Sequence, residues 1–157
     1  MKLLTTLGLA VLIFFVILSG KAQEQTDPRL GTWKLNVEKS KYTPGPAPAS
    51  ETRSYATDGS VVTVNIEDVD SNGRHSKLNY FGQDNGKDYL LLGVPFADAI
   101  TTRRINANVF ETDTKNKGQV IGTAKTEISK DGKVMTITST LNSGGQTVNN
   151  VAVFDKQ

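Results

Sequence analysis

Apolar and polar side chains alternate along most of the chain that follows residue 30. In residues 31–37, Trp33, Leu35 and Val37 occupy every second position, and polar residues stand between them. A repeat of two places the apolar side chains on one face of a β-strand. Residues 31–37 are therefore predicted to form a strand with an inner and an outer face.

The same alternation predicts nine further strands, separated by short turns. Turn dipeptides such as Asn72-Gly73 and Asn85-Gly86 supply the positive φ angles that tight hairpins need. Strands that are joined by hairpins form an antiparallel meander. The predicted strands are residues 51–57, 61–69, 75–81, 88–92, 98–105, 108–114, 119–129, 133–141 and 147–155.

This meander predicts an all-β fold. No stretch after the N-terminal segment repeats apolar residues at the spacing of an amphipathic helix. A long meander either packs as two sheets or curls into a barrel, and closure removes exposed strand edges. We therefore expect an antiparallel up-and-down β-barrel of about 8–10 strands, in which the indole of Trp33 caps one end of the interior.

One segment interrupts the alternation. Residues 38–50 contain Pro44, Pro46 and Pro48, whose rings fix φ and whose nitrogens carry no hydrogen-bond donor. A central strand is excluded there, and a helix is disfavoured. Because the segment lies between two predicted strands, we expect a loop that crosses one end of the barrel and is ordered in part by Tyr42.

The first 22 residues have the pattern of a secretory signal peptide. Lys2 is followed by an apolar stretch over residues 3–19, and the small residues Gly20 and Ala22 suit a signal peptidase. We predict cleavage after Ala22 and export to the periplasm or the extracellular space. The alternative is an uncleaved N-terminal membrane anchor, because roughly eighteen apolar residues can just cross a bilayer.

The rest of the chain divides into a short leader and one domain. Residues 23–29 are mostly polar and are expected to form a flexible leader, and residues 30–157 form a single barrel domain. The composition, 37% hydrophobic and 22% charged, is typical of a globular domain. The chain contains no cysteine, so the fold depends on its core and not on disulfides.

The charge distribution argues against nucleic acid as a partner. Loss of Lys2 and Lys21 with the signal peptide would leave 16 of the 18 basic residues against 16 acidic ones. The basic residues are scattered among acidic ones and form no patch. No stable insertion into a membrane is expected once the signal peptide is removed.

The predicted barrel resembles the calycins, the superfamily of the lipocalins and the intracellular fatty-acid-binding proteins. Gly31-Thr32-Trp33 in the first strand resembles the Gly-x-Trp of those families, and a strand meander follows it. The chain is most similar to small secreted bacterial lipocalin-like proteins without an assigned activity, through GTWKLN at 31–36, SKYTPGP at 40–46 and SKDGK at 129–133. The resemblance implies that residues 30–157 form a lipocalin-like barrel.

Two departures limit what the resemblance implies about the ligand. The fatty-acid-binding proteins have a helix pair between their first two strands, where this chain has its proline-rich segment. Their final strand carries an arginine and a tyrosine that bind carboxylate, and Ala152 and Phe154 stand at those positions here. Fatty acid is therefore not implied as the ligand.

Polar and aromatic side chains on the inner face are the candidates for holding a ligand. Arg104 comes first, because the alternation places it on the same side of its strand as Thr102. Aromatic side chains could line the same space. The predicted ligand-binding residues are Arg104, Tyr80, Tyr89, Trp33 and Thr102.

A structural role for Arg104 is the alternative. A buried guanidinium needs a partner, because an unpaired buried charge is costly. Arg104 could pair with Glu111 or Asp113 across the hairpin. It could also stack on Trp33 at the barrel end, as a basic residue does in calycins by resemblance.

One turn has half of a calcium-binding motif. Asp68, Asp70 and Asn72, followed by a glycine, match the start of a loop whose oxygens converge on a hard cation. The twelfth position of such a loop supplies a bidentate glutamate, but Asn79 stands there. A complete helix-loop-helix site is excluded, which leaves either a weak calcium turn or a polar hairpin tip.

The sequence contains no motif that indicates catalysis. His75 is the sole histidine, and neither a nucleophile elbow nor a phosphate-binding glycine loop occurs. We expect no enzymatic activity and no cofactor.

Two functions remain. The first is an exported lipocalin-like barrel that binds a small apolar or amphipathic ligand in its interior, where small inner residues such as Gly122, Ala124 and Ser139 leave space. The alternative is a non-catalytic structural or interaction module of the cell envelope with a filled core, motivated by the proline-rich loop and the glycine-rich hairpins.

Overall fold

The computed structural model describes residues 26–143 and 145–157, which form eleven β-strands. The predicted signal peptide, residues 1–22, and residues 23–25 of the predicted leader lie outside this part of the chain. Within it, no helix is long and apolar enough to cross a membrane. The strands are β1 Gly31–Leu35, β2 Lys41–Thr43, β3 Ser50–Asp58, β4 Val61–Val69, β5 His75–Gly82, β6 Asn85–Leu92, β7 Ala99–Arg104, β8 Val109–Asn116, β9 Gln119–Ile128, β10 Val134–Ser143 and β11 Gln146–Lys156.

Ten of these strands close into an antiparallel barrel. Each strand from β3 to β11 pairs with the next one along the chain, and β1 lies between β3 and β11. The closing pairs join Gly31 to Tyr55 on one side of β1 and Leu35 to Phe154 on the other. The prediction of an all-β, antiparallel up-and-down barrel is confirmed.

The eleventh strand, β2, continues the line of β1 along β11. The chain leaves the sheet after β1 and returns when Lys41 pairs with Val151. Between them the Ser40 hydroxyl accepts a hydrogen bond of 2.9 Å from the Val153 amide, so a side chain replaces a missing backbone partner. The proline-rich segment was predicted as a loop throughout, but residues 41–43 precede its first proline and still carry the amides that a strand needs.

The buried hydroxyl of Tyr42 on β2 leads to a testable prediction about stability. Its hydroxyl is buried without a hydrogen-bond partner, and burial followed by the charge of Glu51 raises its pKa to about 12. Because an unsatisfied buried hydroxyl costs about 1–3 kcal/mol, Tyr42→Phe should leave the free energy of unfolding unchanged or raise it by about 1 kcal/mol in urea denaturation. The matched control is Tyr89→Phe. It removes a hydroxyl oxygen that accepts a hydrogen bond of 3.0 Å from the side-chain amide of Asn85, so it should lower the free energy of unfolding. Equal losses in both variants would contradict the prediction.

One predicted turn lies inside a strand. Asn85-Gly86 was expected to separate two strands, but β6 begins at Asn85, and only Gln83 and Asp84 lie between β5 and β6. The pairing of β6 with β7 shifts between Asn85 and Asp88, which is the pattern of a β-bulge. A bulge can require a glycine with positive φ, as a tight turn does, and Gly86 has a φ of 75°.

The barrel interior is filled at one end, which we call the plugged end. The plug consists of four side chains that are at most 1% exposed: Trp33, Phe110, Met135 and Phe154. Trp33, Met135 and Phe154 form one cluster on β1, β10 and β11 at the seam where the barrel closes, and Phe110 is contributed by β8. The prediction that Trp33 caps one end of the interior is confirmed.

A short N-terminal segment crosses the plugged end. The Trp33 indole donates a hydrogen bond of 2.7 Å to the backbone carbonyl of Arg29, and the Arg29 side chain is only 3% exposed. Arg29 forms ion pairs with Asp27 and with Asp84 at the β5–β6 turn. Residues 27–29, which the sequence analysis assigned to a leader, are thus part of the packed barrel end.

Candidate functional site

The interior beyond the plug contains a cavity of about 220 Å³. Its walls come from the eight strands β3 to β10, together with the β6–β7 loop and Arg29. Most of the wall is apolar. The lining residues are Arg29, Arg53, Tyr55, Ile66, Leu78, Tyr80, Leu91, Val94, Phe96, Ile100, Thr112, Thr114, Ala124, Thr126, Ile137, Ser139 and Leu141.

The cavity reaches the surface at the open end, opposite the plug. The chain turns between β6 and β7 at that end, and Val94 and Phe96 of this loop line the cavity. The Phe96 side chain is also 40% exposed to solvent. A side chain that faces both the cavity and the solvent marks the mouth of the cavity.

Two arginine side chains separate the cavity from the plug. The Arg29 guanidinium carbon lies 3.6 Å from the centroid of the Phe110 ring, and that of Arg53 lies 5.0 Å from the Phe154 ring. Both stack on plug aromatics, as guanidinium groups do on ring faces. The floor of the cavity is therefore cationic on its surface and aromatic beneath.

The charge of Arg29 is neutralised by two carboxylates. Its Nε and Nη2 donate to Asp27, with an Nη2–Oδ2 distance of 2.6 Å, and Nη1 donates to Asp84 over 3.2 Å. Burial alone would lower the pKa of Arg29, but the two carboxylates raise it above its usual value. Burial would likewise raise the pKa of Asp27, and the bonds to Arg29 hold it below its usual value instead.

Arg53 has fewer partners than Arg29. Its Nε donates to the Glu51 carboxylate two residues earlier on β3, and its side chain is 21% exposed. Tyr55 on the same face of β3 also interacts with the Arg53 side chain and helps to raise its pKa. Among the described residues, no further acceptor reaches its Nη atoms, and neither is a buried atom without a partner. The Nη atoms therefore keep N–H groups that face open space. Burial opposes the charge of Arg53, but the neighbouring Glu51 raises its pKa, so it stays protonated.

Tyr80 adds a hydroxyl to the floor. It lies opposite Val64 on β4 and Leu91 on β6, and it lines the cavity beside the two arginines. Burial raises the pKa of Tyr80 above its usual value. The phenol therefore remains a hydrogen-bond donor at neutral pH.

Of the five residues that the sequence analysis proposed for ligand binding, the structure places Tyr80 in the cavity wall and the other four elsewhere. Trp33 belongs to the plug. Thr102 is buried, and its hydroxyl lies 3.4 Å from that of Thr112. The Tyr89 ring packs against Gly82, where an added Cβ would lie 2.5 Å from the ring.

Arg104 faces away from the cavity. Its Nη2 donates to the Ala107 carbonyl over 2.9 Å and its Nε to the Asn106 carbonyl over 3.2 Å. It lines a polar groove outside the plugged end together with Asp27 and Asp84. The proposed pairing with Glu111 or Asp113 is wrong for Arg104, because the turn carbonyls are closer; its neighbour Arg103 pairs with Asp113 over 2.7 Å.

Arg29 and Arg53 were not predicted from the sequence. Arg53 alternates with Glu51 and Tyr55 on one face of β3, so the period of two could have marked it as an inward charge with a partner two residues away. Arg29 precedes the first strand, where no periodicity applies. Its partner Asp84 is 55 residues away.

The candidate calcium turn holds no cation-binding arrangement. The Asp70 carboxylate accepts hydrogen bonds from the amides of Asn72 and Arg74, at 2.8 and 3.0 Å, and from the Arg74 guanidinium at 2.8 Å. Its oxygens are occupied within the hairpin tip. In the described part of the chain, no group of three or more histidine or carboxylate side chains could hold a metal ion.

Comparison with known proteins supports the fold only. No family model matches the chain, and no curated protein matches it. Among solved structures, the crystal structure of Rv2717c from M. tuberculosis is similar, with a TM-score of 0.54, 16% sequence identity, and coverage of 83% of this chain and 93% of that one. At that identity the similarity concerns the fold alone, and the calycin resemblance of the sequence remains a prediction.

Proposed function

We propose that the protein is an exported barrel that binds a small apolar or amphipathic molecule in its interior. The observation that carries this proposal is the cavity of about 220 Å³, which opens at Phe96 and ends on Arg29 and Arg53. An apolar wall with a few convergent polar groups is the usual composition of a ligand site. A barrel with a filled core would lack such a space.

A titration with naphthalene, followed by its own fluorescence, tests the proposal. The wild-type protein should bind it saturably, and native mass spectrometry after gentle purification should reveal a bound small molecule. Ala124→Phe places a ring in the cavity and should weaken naphthalene binding at least about tenfold, because overpacking removes the space the ligand needs. The matched control Thr123→Phe changes the exposed neighbour on the outer face of β9 and should bind as the wild type does.

Circular dichroism should confirm that both variants are folded. If Ala124→Phe does not fold, Ser139→Leu fills the same cavity from β10 with a smaller increase in volume. Absence of saturable binding to the folded wild-type protein, with no bound mass, would count against a carrier function.

Export is the second part of the proposal and has its own test. Lys2, the apolar residues 3–19 and the small residues before Gln23 support a cleaved signal peptide. Expressed at full length in a bacterium, the protein should appear outside the cytoplasm with an intact mass that begins at Gln23. A membrane-bound chain that retains residue 1 would instead indicate the uncleaved anchor.

The interaction-module alternative has one observation in its favour. Phe81, Leu90 and Leu92 on the outer face of β5 and β6 are 43–59% exposed, and contiguous exposed apolar patches often mark contact surfaces. Sedimentation velocity of the exported protein separates the two functions. A carrier is a monomer that retains its ligand, whereas a module assembles through this face.

A further inference from the structure

The polar groups at the cavity floor indicate which class of ligand the interior accepts, if the proposed binding function holds. Arg29 has two carboxylate partners, whereas Arg53 has one, Glu51. Tyr55 also interacts with Arg53 but can engage only one of its remaining N–H groups, so the Nη atoms keep further donors. Arg53 is therefore the strongest unused donor that faces the cavity. A ligand atom next to it must accept hydrogen bonds.

The surrounding charges disfavour an anion as that acceptor. Glu51 on β3 lies opposite Asp68 on β4 in the register of the sheet. Burial is the main cause that raises the pKa of Asp68, and the negative charge of Glu51 adds to it. Glu51 and Asp68 thus place two carboxylates around the Arg53 guanidinium, while Asp27 and Asp84 are balanced by Arg29 and Arg104. Both guanidinium groups at the floor are therefore already paired, so an anionic ligand would bury a charge there with no unpaired cation to compensate it, and unpaired buried charge is costly.

A cation is disfavoured for a different reason. The floor presents the guanidinium groups of Arg29 and Arg53 to the cavity, whereas Glu51 and Asp68 do not line it. An ammonium group on a ligand would meet the two cations directly. A neutral acceptor, such as a carbonyl oxygen, uses the free donors of Arg53 without adding charge.

The size of the cavity limits the rest of the molecule. A void of about 150 Å³ holds benzene, and sites for drug-sized ligands span about 300–1,000 Å³. A cavity of about 220 Å³ lies between these values. The apolar side chains between the floor and the mouth, including Leu91, Ile100 and Leu141, would enclose a hydrocarbon body about as large as two fused rings.

We propose that the ligand is a compact, uncharged and mostly apolar molecule with a carbonyl group, whose oxygen accepts hydrogen bonds from the Nη atoms of Arg53. The hydrocarbon body lies against the apolar wall toward Phe96. Tyr80 supplies a further donor beside the carbonyl.

Four naphthalenes of nearly equal shape test this inference by isothermal titration calorimetry: 2-acetylnaphthalene, 2-isopropylnaphthalene, 2-naphthoate and 1-(2-naphthyl)ethylammonium. The ketone should bind the wild type at least about tenfold more tightly than the hydrocarbon, since a hydrogen bond to a charged group is worth roughly 1.5–3 kcal/mol. It should also bind more tightly than either charged analogue at pH 7.

Two variants assign the preference to Arg53. Arg53→Met should lose most of the preference for the ketone over the hydrocarbon, because only Tyr80 remains as a donor, and Arg103→Met, which removes an arginine on the outer face, should keep the full preference. Glu51→Gln retains an acceptor for the Arg53 Nε and removes a negative charge, so it should bind naphthoate at least about tenfold more tightly than the wild type does. If Arg53→Met does not fold, Glu51→Gln decides the question.

The outcomes separate the two proposals. Wild-type protein that binds naphthoate or the ammonium best, or a ketone preference that is undiminished in Arg53→Met, overturns the inference and leaves the carrier function standing. Equal binding of all four compounds would also overturn the inference and leave the carrier function standing. Failure of the folded wild type to bind any of them contradicts the carrier function, and the inference with it.

Discussion

Arg29→Met is expected to lower the free energy of unfolding at pH 7 by about 3–5 kcal/mol, the cost of removing one partner from a buried ion pair. The variant keeps an unbranched side chain of similar length, but it loses the guanidinium that stacks on Phe110 and leaves Asp27 and Asp84 without their cation. Both carboxylates are less than 20% exposed, so water compensates them poorly. Urea denaturation at pH 7 measures the loss.

The pH dependence of stability distinguishes this ion-pair effect from a packing defect. In the wild type Arg29 holds the pKa of Asp27 below its usual value, so the stabilisation is present above the pKa of a free carboxyl and is lost as the pH falls through the lowered one. In Arg29→Met, burial would raise the pKa of Asp27, and the folded state would take up a proton first. The deficit should therefore shrink between pH 7 and about pH 4.

A suitable control is Arg74→Met. It removes an arginine that also pairs with an aspartate, Asp70, but its side chain is 80% exposed at a hairpin tip. Exposed pairs contribute little, so its denaturation midpoint should match that of the wild type at every pH. If the loss of unfolding free energy in Arg29→Met stays constant from pH 7 to about pH 4, the electrostatic interpretation is wrong.

The strands were predictable because one face of each is buried and the other is exposed to solvent. The predicted bounds 61–69 are those of β4, where Val62 and Val64 are at most 7% exposed and their neighbours Val61, Thr63 and Asn65 are exposed. The turn at Asp131-Gly132 was also predictable, since Gly132 has a φ of 69°. Local alternation and turn chemistry together defined the order of the meander, and closure followed from the number of strands.

The candidate site was much less predictable than the fold. The alternation correctly separates inner from outer positions, but it does not say how far along the barrel an inner residue lies. Arg104 ends β7 next to a turn with free carbonyls, and its long side chain turns toward them. Arg53 occupies the middle of the barrel. Whether an inner position lines a plug or a cavity depends on the side chains contributed by distant strands.

The β5–β6 seam shows the same limitation. These strands share only two registered pairs, Asn79 with Leu92 and Tyr80 with Leu91, whereas β4 and β5 share eight. Both Tyr80 and Leu91 line the cavity, so a very short ladder forms this part of its wall. The alternation predicted both strands but could not indicate how little of them would pair.

Gly93, directly after β6, is expected to be the most sensitive glycine at this seam. A Cβ at Gly93 would lie 1.9 Å from the Lys77 carbonyl oxygen and 3.1 Å from the Leu78 Cα, and its φ is 92°. Gly93→Ala must therefore move β6 away from β5 as well as adopt an unfavourable φ. We expect a loss of roughly 2–5 kcal/mol in urea denaturation, the sum of about 1–2 for the left-handed backbone and about 1–3 for the overlap.

Gly73→Ala and Gly118→Ala separate the two causes. Both glycines have a φ close to 80°, and an added Cβ at either would meet nothing within 4 Å. These variants should lose only the backbone part, about 1–2 kcal/mol. A separated seam should also disturb Tyr80 and Leu91, so Gly93→Ala should weaken naphthalene binding while the two controls bind normally. If all three alanine variants are equally stable, the close contact between Gly93 and Lys77 does not hold the seam together.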